Sequence, residues 1–293
     1  MYKIIEGGTS MLKVWIVGSG SQVGTAINDV IDPLEMEVFN TDQDELDITD
    51  TDSVINFGEI SRPDVIINCA AITDVAECER NPESAYRVNA LGARNLCIVA
   101  RKIGAKIVQL STDDVFDGTN DVPYTEFDTP NPVTVYGASK RAGENYVKEF
   151  THKHFIIRSN WVYAKEGKNF VNYVLNESLK NGPIVVTQDQ YGSPTSAKDL
   201  ARLILYLIKT NEYGTYHATC KGVCSRLEFA EEILRQIGRT NQIISGNPDE
   251  HHISTVRPDY AVLDNFILRI IDVYEMPDWK TSLEEYITNW KET

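Results

Sequence analysis

Val14-Trp15-Ile16-Val17-Gly18-Ser19-Gly20-Ser21-Gln22-Val23-Gly24 is a short apolar run, a glycine-rich turn and the opening of a helix. A strand of a parallel sheet is buried on both faces and reads as an uninterrupted apolar run of this kind. Gly18 suits the tight turn after it. Gly20 and Ser21 are small enough for main chain to approach a pyrophosphate, and Gly24 lets the helix pack close to the strand. Gln22 and Val23 begin that helix, whose first N–H groups carry a partial positive charge toward an anion. The stretch therefore predicts a dinucleotide site at the end of the first strand of an open α/β sheet.

The rest of the chain extends the pattern. Further strands are expected at Glu37–Asn40, Asp64–Asn68, Lys106–Leu110 and Phe155–Arg158, with a helix over Ser84–Lys102 that stops at Gly104. Strands alternating with helices indicate a doubly wound parallel α/β sheet over residues 13–160. From Trp161 the texture changes. Helical runs at Asn169–Asn181, Lys198–Lys209, Leu227–Ile237 and Ser282–Trp290 are joined by longer polar connections, so residues 161–293 are expected to form a smaller substrate lobe whose segments interleave with the first. Residues 1–12 read as a mobile tail, and Met11 as an alternative start.

Composition narrows the function. The 293 residues carry 28 Lys and Arg against 43 Asp and Glu, a net charge of −15, which argues against a nucleic-acid partner or docking on an anionic membrane. No apolar run reaches the roughly 20 residues of a membrane-spanning helix. Five dispersed cysteines are no disulfide framework, and Cys220-x-x-x-Cys224 lacks paired histidines, so no metal site is expected. A cytoplasmic enzyme is the expectation.

Asp42 falls 24 residues after Gly18, just past the second strand, where a carboxylate accepts ribose hydroxyls and repels a 2′-phosphate. That favours NADH, although Asp42 also reads as part of a solvated acidic run with Asp44 and Glu45. Tyr136 and Lys140 stand four apart on one helix face. A phenol with a pKa near ~10 is a poor acid at neutral pH unless a nearby cation stabilises its anion, and Lys140 is placed to do so. The pair also reads as an ordinary surface contact. Thr112 ends the fourth strand, at the ligand crevice of such a sheet; a turn cap is its plainer reading.

In combination these residues resemble an extended short-chain dehydrogenase/reductase, with a Rossmann-like fold. Several motifs are similar in particular to the dTDP-4-dehydrorhamnose reductases. They are Asn68-Cys69-Ala70-Ala71-Ile72-Thr73-Asp74-Val75, Ser111-Thr112-Asp113-Asp114-Val115-Phe116-Asp117-Gly118, Asn131-Pro132-Val133-Thr134-Val135-Tyr136-Gly137, Arg158-Ser159-Asn160-Trp161-Val162-Tyr163, Asp189-Gln190-Tyr191-Gly192-Ser193-Pro194-Thr195, and Arg257-Pro258. Two positions depart from the family pattern: Ser21 stands for a glycine, and Asp114 replaces a tyrosine, exchanging an aromatic for a carboxylate.

The resemblance implies NADH- or NADPH-dependent reduction of the C4 ketone of a dTDP-sugar, with Tyr136 as proton donor, Lys140 as its activator and Thr112 as a donor to the same oxygen. It implies cofactor contacts from the glycine loop, Asp42, Asp47, Ile48, Ala70, Ala71, Tyr136 and Lys140. Substrate contacts are implied for Thr73, Val75, Thr112, Asp113 and Trp161, and Arg257 is the candidate for the diphosphate. The superfamily also includes 4,6-dehydratases with a Thr-Asp-Glu that Thr112-Asp113-Asp114 echoes, and a regulatory subunit that binds without catalysis. A homodimer is among the partners to be expected.

Overall fold

The structure is a computed structural model that describes residues 11–180, 182–187, 190–246, 258–272 and 274–291. The expected tail over residues 1–10 and the diphosphate candidate Arg257 lie outside the described residues.

The first half runs β1 (Leu12–Val17), α1 (Gln22–Val30), β2 (Met36–Thr41), α2 (Thr51–Ser61), β3 (Val65–Asn68), α3 (Val75–Arg80), α4 (Pro82–Tyr86), a π-helical turn (Arg87–Gly92), α5 (Ala93–Ile103), β4 (Lys106–Thr112), a 3₁₀ turn (Asp113–Val115), α6 (Val135–Phe150) and β5 (His154–Ser159). β1 begins at Leu12, inside the stretch expected to be tail. Helix ends follow local chemistry. Ser21, Asp50, Asp74 and Thr134 cap α1, α2, α3 and α6 through their side-chain oxygens. Gly104 at φ 79° closes α5 in the left-handed conformation that glycine tolerates.

The second half runs β6 (Val162–Tyr163), α7 (Phe170–Ser178), β7 (Ile184–Val186), β8 (Tyr191–Gly192), β9 (Thr195–Ser196), α8 (Ala197–Leu207), β10 (Gly214–His217), β11 (Cys224–Ser225), α9 (Arg226–Ile237), β12 (Ile243–Ser245), α10 (Phe266–Ile270) and α11 (Trp279–Lys291). Residues 197–217 return to the sheet layer. β10 pairs with β5 in parallel, as the sixth strand in the order β10-β5-β4-β3-β1-β2. All pairings in this sheet are parallel.

Alternate side chains feed two cores, as strand periodicity demands. Val14, Ile16, Val65, Ile67, Val108, Phe155 and Ile157 join one cluster, which includes α1, α7, α8, α9 and α11. Trp15, Val17, Ile66, Ile107 and Ile156 join the other, with α2 and α5. The strand order turns back between β1 and β3. A crevice opens at the carboxyl ends of the strands where such an order reverses.

Candidate active site

The glycine loop sits at that crevice. Its main chain touches its neighbours where any larger residue would collide: a Cβ on Gly18 would lie 2.7 Å from Ala70 N, and one on Gly24 2.5 Å from Gly18 O. Gly18 also has φ 73°. Ser21 accepts from Gly24 N at 3.1 Å, so the serine in the family's glycine position caps α1. The N-terminus of α1, backed by closely packed main chain, suits a dinucleotide pyrophosphate. Gln22 and Val23 divide between surface and core: Val23 is buried, while Gln22 Oε1 accepts from Asn169 Nδ2 at 3.1 Å and so ties the loop to the start of α7.

Asp42 is engaged by the loop itself. Its Oδ2 accepts from Ser19 Oγ at 2.7 Å and from Gly20 N at 2.8 Å, holding the loop from the end of β2. Asp47 is exposed and turns its own segment by accepting from Thr49 N. The Ile48 side chain is buried under the sheet, and its carbonyl is held by Asn95 at 3.0 Å, so main chain is what this position could offer a ligand. Ala70 N donates to Asn68 Oδ1, and Ala71 follows at the crevice edge, half-buried.

Helix α6 presents Tyr136 and Lys140. A Cβ on Gly137 would come within 1.9 Å of Asp114 O, so the absence of a side chain lets α6 press against the turn that follows Thr112. Tyr136 is half-buried. Lys140 is buried, and its Nζ donates to Leu110 O at 2.7 Å. Burial pulls the ammonium down to about 8, against the opposing field of Glu144. Its charge and the Ser21 side chain both act on the Cys69 thiol, which burial pushes up to about 12.

One turn further along α6, Glu144 is fully buried and accepts from Ser111 Oγ at 2.7 Å, Arg141 at 2.8 Å, and Arg158 twice. Burial alone would raise its pKa, but Arg158, Ser111 and Arg141 hold it at about 2. Arg158 reaches on to His217 Nε2 at 3.3 Å. Burial and Arg158 lower that imidazole to about 3, so it is neutral, donates through Nδ1 to Tyr124 O and accepts from Arg158.

At the strand end, Thr112 Oγ1 donates to Asp113 Oδ1 at 3.0 Å and accepts from Asp114 N at 3.2 Å. Asp113 Oδ2 accepts from Asn160 Nδ2 at 2.7 Å. Asp114, at the position of the family tyrosine, is buried. Thr73 is exposed, whereas Val75 is buried at the start of α3. Trp161 is half-buried with φ 44°, and the Arg226 guanidinium lies 3.5 Å from its ring centre.

Two residues escape a reading of the sequence by motif. Asn89, in the π-helical turn, clamps Ile72 in both directions and donates to Ser139 Oγ on α6. It fixes the Thr73 segment against the helix that carries Tyr136, and π turns recur at functional sites. Arg226 is the other. The five cysteines are free and buried, and no group of three or more candidate metal ligands occurs among the described residues. No helix among them is long and apolar enough to cross a membrane.

A family model described as the RmlD substrate binding domain matches residues 12–292. The chain belongs to this family. Among RmlD-family relatives, the spore coat polysaccharide biosynthesis protein SpsK of Bacillus subtilis is 35% identical over 94% of this chain and 97% of its own length. A dTDP-4-dehydrorhamnose reductase of Mycolicibacterium smegmatis is 33% identical over 94% and 85%. A solved dTDP-4-dehydrorhamnose reductase from Clostridium acetobutylicum matches with a TM-score of 0.92 at 41% identity, covering 96% of this chain and all of that one. The enzyme of that name from Bacillus anthracis, solved in complex with NADP, matches with 0.92 at 38%, with the same coverage. A UDP-glucose 4-epimerase from Thermus thermophilus, at 18% identity and 0.81, shares the fold alone.

Proposed function

We propose that this RmlD-family chain is an NAD(P)H-dependent reductase. It converts the C4 ketone of dTDP-4-dehydro-β-L-rhamnose to the alcohol of dTDP-L-rhamnose, in the cytoplasm, for rhamnose-containing surface polysaccharide. The observation that carries the reading is the placing of Lys140: buried one helical turn from Tyr136, with its Nζ on Leu110 O of β4, the strand that ends at Thr112.

The glycine loop, Asp42, Ala70 and Lys140 would hold the dinucleotide. When bound, its reduced nicotinamide supplies the hydride. Negative charge then grows on the ketone oxygen, and Tyr136 gives its phenolic proton there as general acid. Lys140 lowers the cost of the phenolate left behind. Thr112 donates a second hydrogen bond to the oxygen by turning its hydroxyl away from Asp113. The Asp113–Asn160 bond keeps that strand end in place. Asp42 would hold the adenosine ribose of the bound dinucleotide while its Oδ2 keeps the loop in place.

The test follows loss of NADH or NADPH absorbance with freshly made dTDP-4-dehydrorhamnose, with other 4-keto nucleotide sugars as controls. Steady consumption with the rhamnose precursor supports the reading. Water elimination from a 4-hydroxy sugar nucleotide with no net NADH loss contradicts it.

A further inference from the structure

Arg226 opens α9 straight off β11, which pairs antiparallel with β8. Its N–H donates to Gln190 O at 3.1 Å, so the residue stands beside Gln190, at the end of the ladder in which Cys224 faces Gly192. A Cβ on Gly192 would lie 2.6 Å from the Trp161 ring and 2.8 Å from Asn160 Oδ1; the bare glycine lets both press against β8. The guanidinium carbon lies 3.5 Å from the Trp161 ring centre and 4.7 Å from that of Phe170. On one side, Asn160 leads through Asp113 to Thr112. On the other, Asn169 leads to Gln22 of the glycine loop. Arg226 is therefore set between the proton-transfer end of the crevice and the nucleotide loop.

Nothing in the helix itself calls for an arginine here, because a cation in the first turn opposes the helix dipole. Stacking engages the face of a guanidinium, whereas phosphate oxygens are recognised along its edge, so the two contacts are compatible. Asn160 Oδ1, buried against Gly192, has no hydrogen-bond partner among the described residues. In a chain of net charge −15, a dianion needs a local cation to hold it.

We propose that Arg226 binds the diphosphate of the sugar nucleotide and makes the enzyme select a nucleotide-linked sugar. The inference rests on the reductase reading and names the residue that reads the nucleotide part of its substrate. The cofactor's own pyrophosphate is served by the N-terminus of α1, and the indole under Arg226 holds the guanidinium in one orientation.

Calorimetric titration with dTDP and, separately, with NADPH tests it on wild type, Arg226→Leu, Arg226→Gln and Arg226→Lys. Thermal melting identifies the variants that are folded. Loss of a bidentate, charge-assisted contact predicts a dTDP Kd raised about tenfold or more in the Leu and Gln variants, less in Lys, with NADPH binding within about twofold of wild type. An unchanged dTDP Kd in any folded Leu or Gln variant overturns the inference. So does weaker NADPH binding with dTDP unaffected, which would give Arg226 to the cofactor. Wild type that binds NADPH but no dTDP removes the sugar-nucleotide reading itself, an outcome distinct from a variant that merely matches wild type.

Discussion

Glu144 gives both carboxylate oxygens to Arg158, accepting from Nε at 2.8 Å and Nη2 at 2.7 Å, with neither side chain meeting solvent. The pair joins α6 to β5 one helical turn beyond Lys140. It is satisfied on every side, by Ser111 and Arg141 at the carboxylate and by His217 at the guanidinium. Removing one member leaves a buried charge without its partner, which typically costs about 3–5 kcal/mol.

Glu144→Ala is therefore expected to lower unfolding free energy by several kcal/mol in a urea titration at pH 7. Because folding lowers the Glu144 pKa from 4.5 to about 2, its stabilisation is present above pH 4.5 and lost as pH falls from there toward 2. The difference between wild type and variant should shrink across that window. A constant difference down to pH 2 contradicts the assignment.

Lys140 gives a second expectation. Its ammonium must be charged to support the phenol, and burial has brought it down to about 8. The value of kcat/KM should fall as pH rises through 8, and Lys140→Met should lose at least about 100-fold in kcat at pH 7. A flat profile to pH 10 in wild type contradicts this role.

Gly137→Ala adds a single methyl group where Asp114 O stands 1.9 Å away. The helix must move off the Thr112 turn, and small misplacements of catalytic groups are costly. The expected result is a kcat lowered by about tenfold or more with NADPH binding retained. Kinetics of the purified variant equal to wild type would show that this contact does not position Tyr136.

Asp42 predicts that NADH serves at least as well as NADPH, since a carboxylate beside the ribose repels a 2′-phosphate. Asp42→Ala should move the ratio of kcat/KM values toward NADPH, while weakening both because Ser19 and Gly20 lose their anchor. A strong NADPH preference in wild type removes Asp42 from the ribose.

Much of this is legible in the sequence. The run Val14–Val17 and the glycines after it announce strand, turn and helix because each residue's local requirement agrees with the fold. Tyr136 and Lys140 share a helix face by spacing alone. The sixth strand was not legible: Gly214–His217 is short, carries Thr and His, and is a strand because β5 offers it an edge. Arg226 and Asn89 were hidden for a related reason. Their importance lies in partners far along the chain, Trp161 for one and Ile72 and Ser139 for the other, and no local pattern encodes such a meeting. Asp42 was visible as a carboxylate, but its hold on Ser19 and Gly20 was not.

The most direct measurement is single-turnover reduction of dTDP-4-dehydrorhamnose by Tyr136→Phe, alongside NADPH titration of the same protein. The variant is expected to bind NADPH within about twofold of wild type and to reduce the sugar at least about 100-fold more slowly, because the missing hydroxyl supplies the proton. A rate equal to wild type would contradict the account.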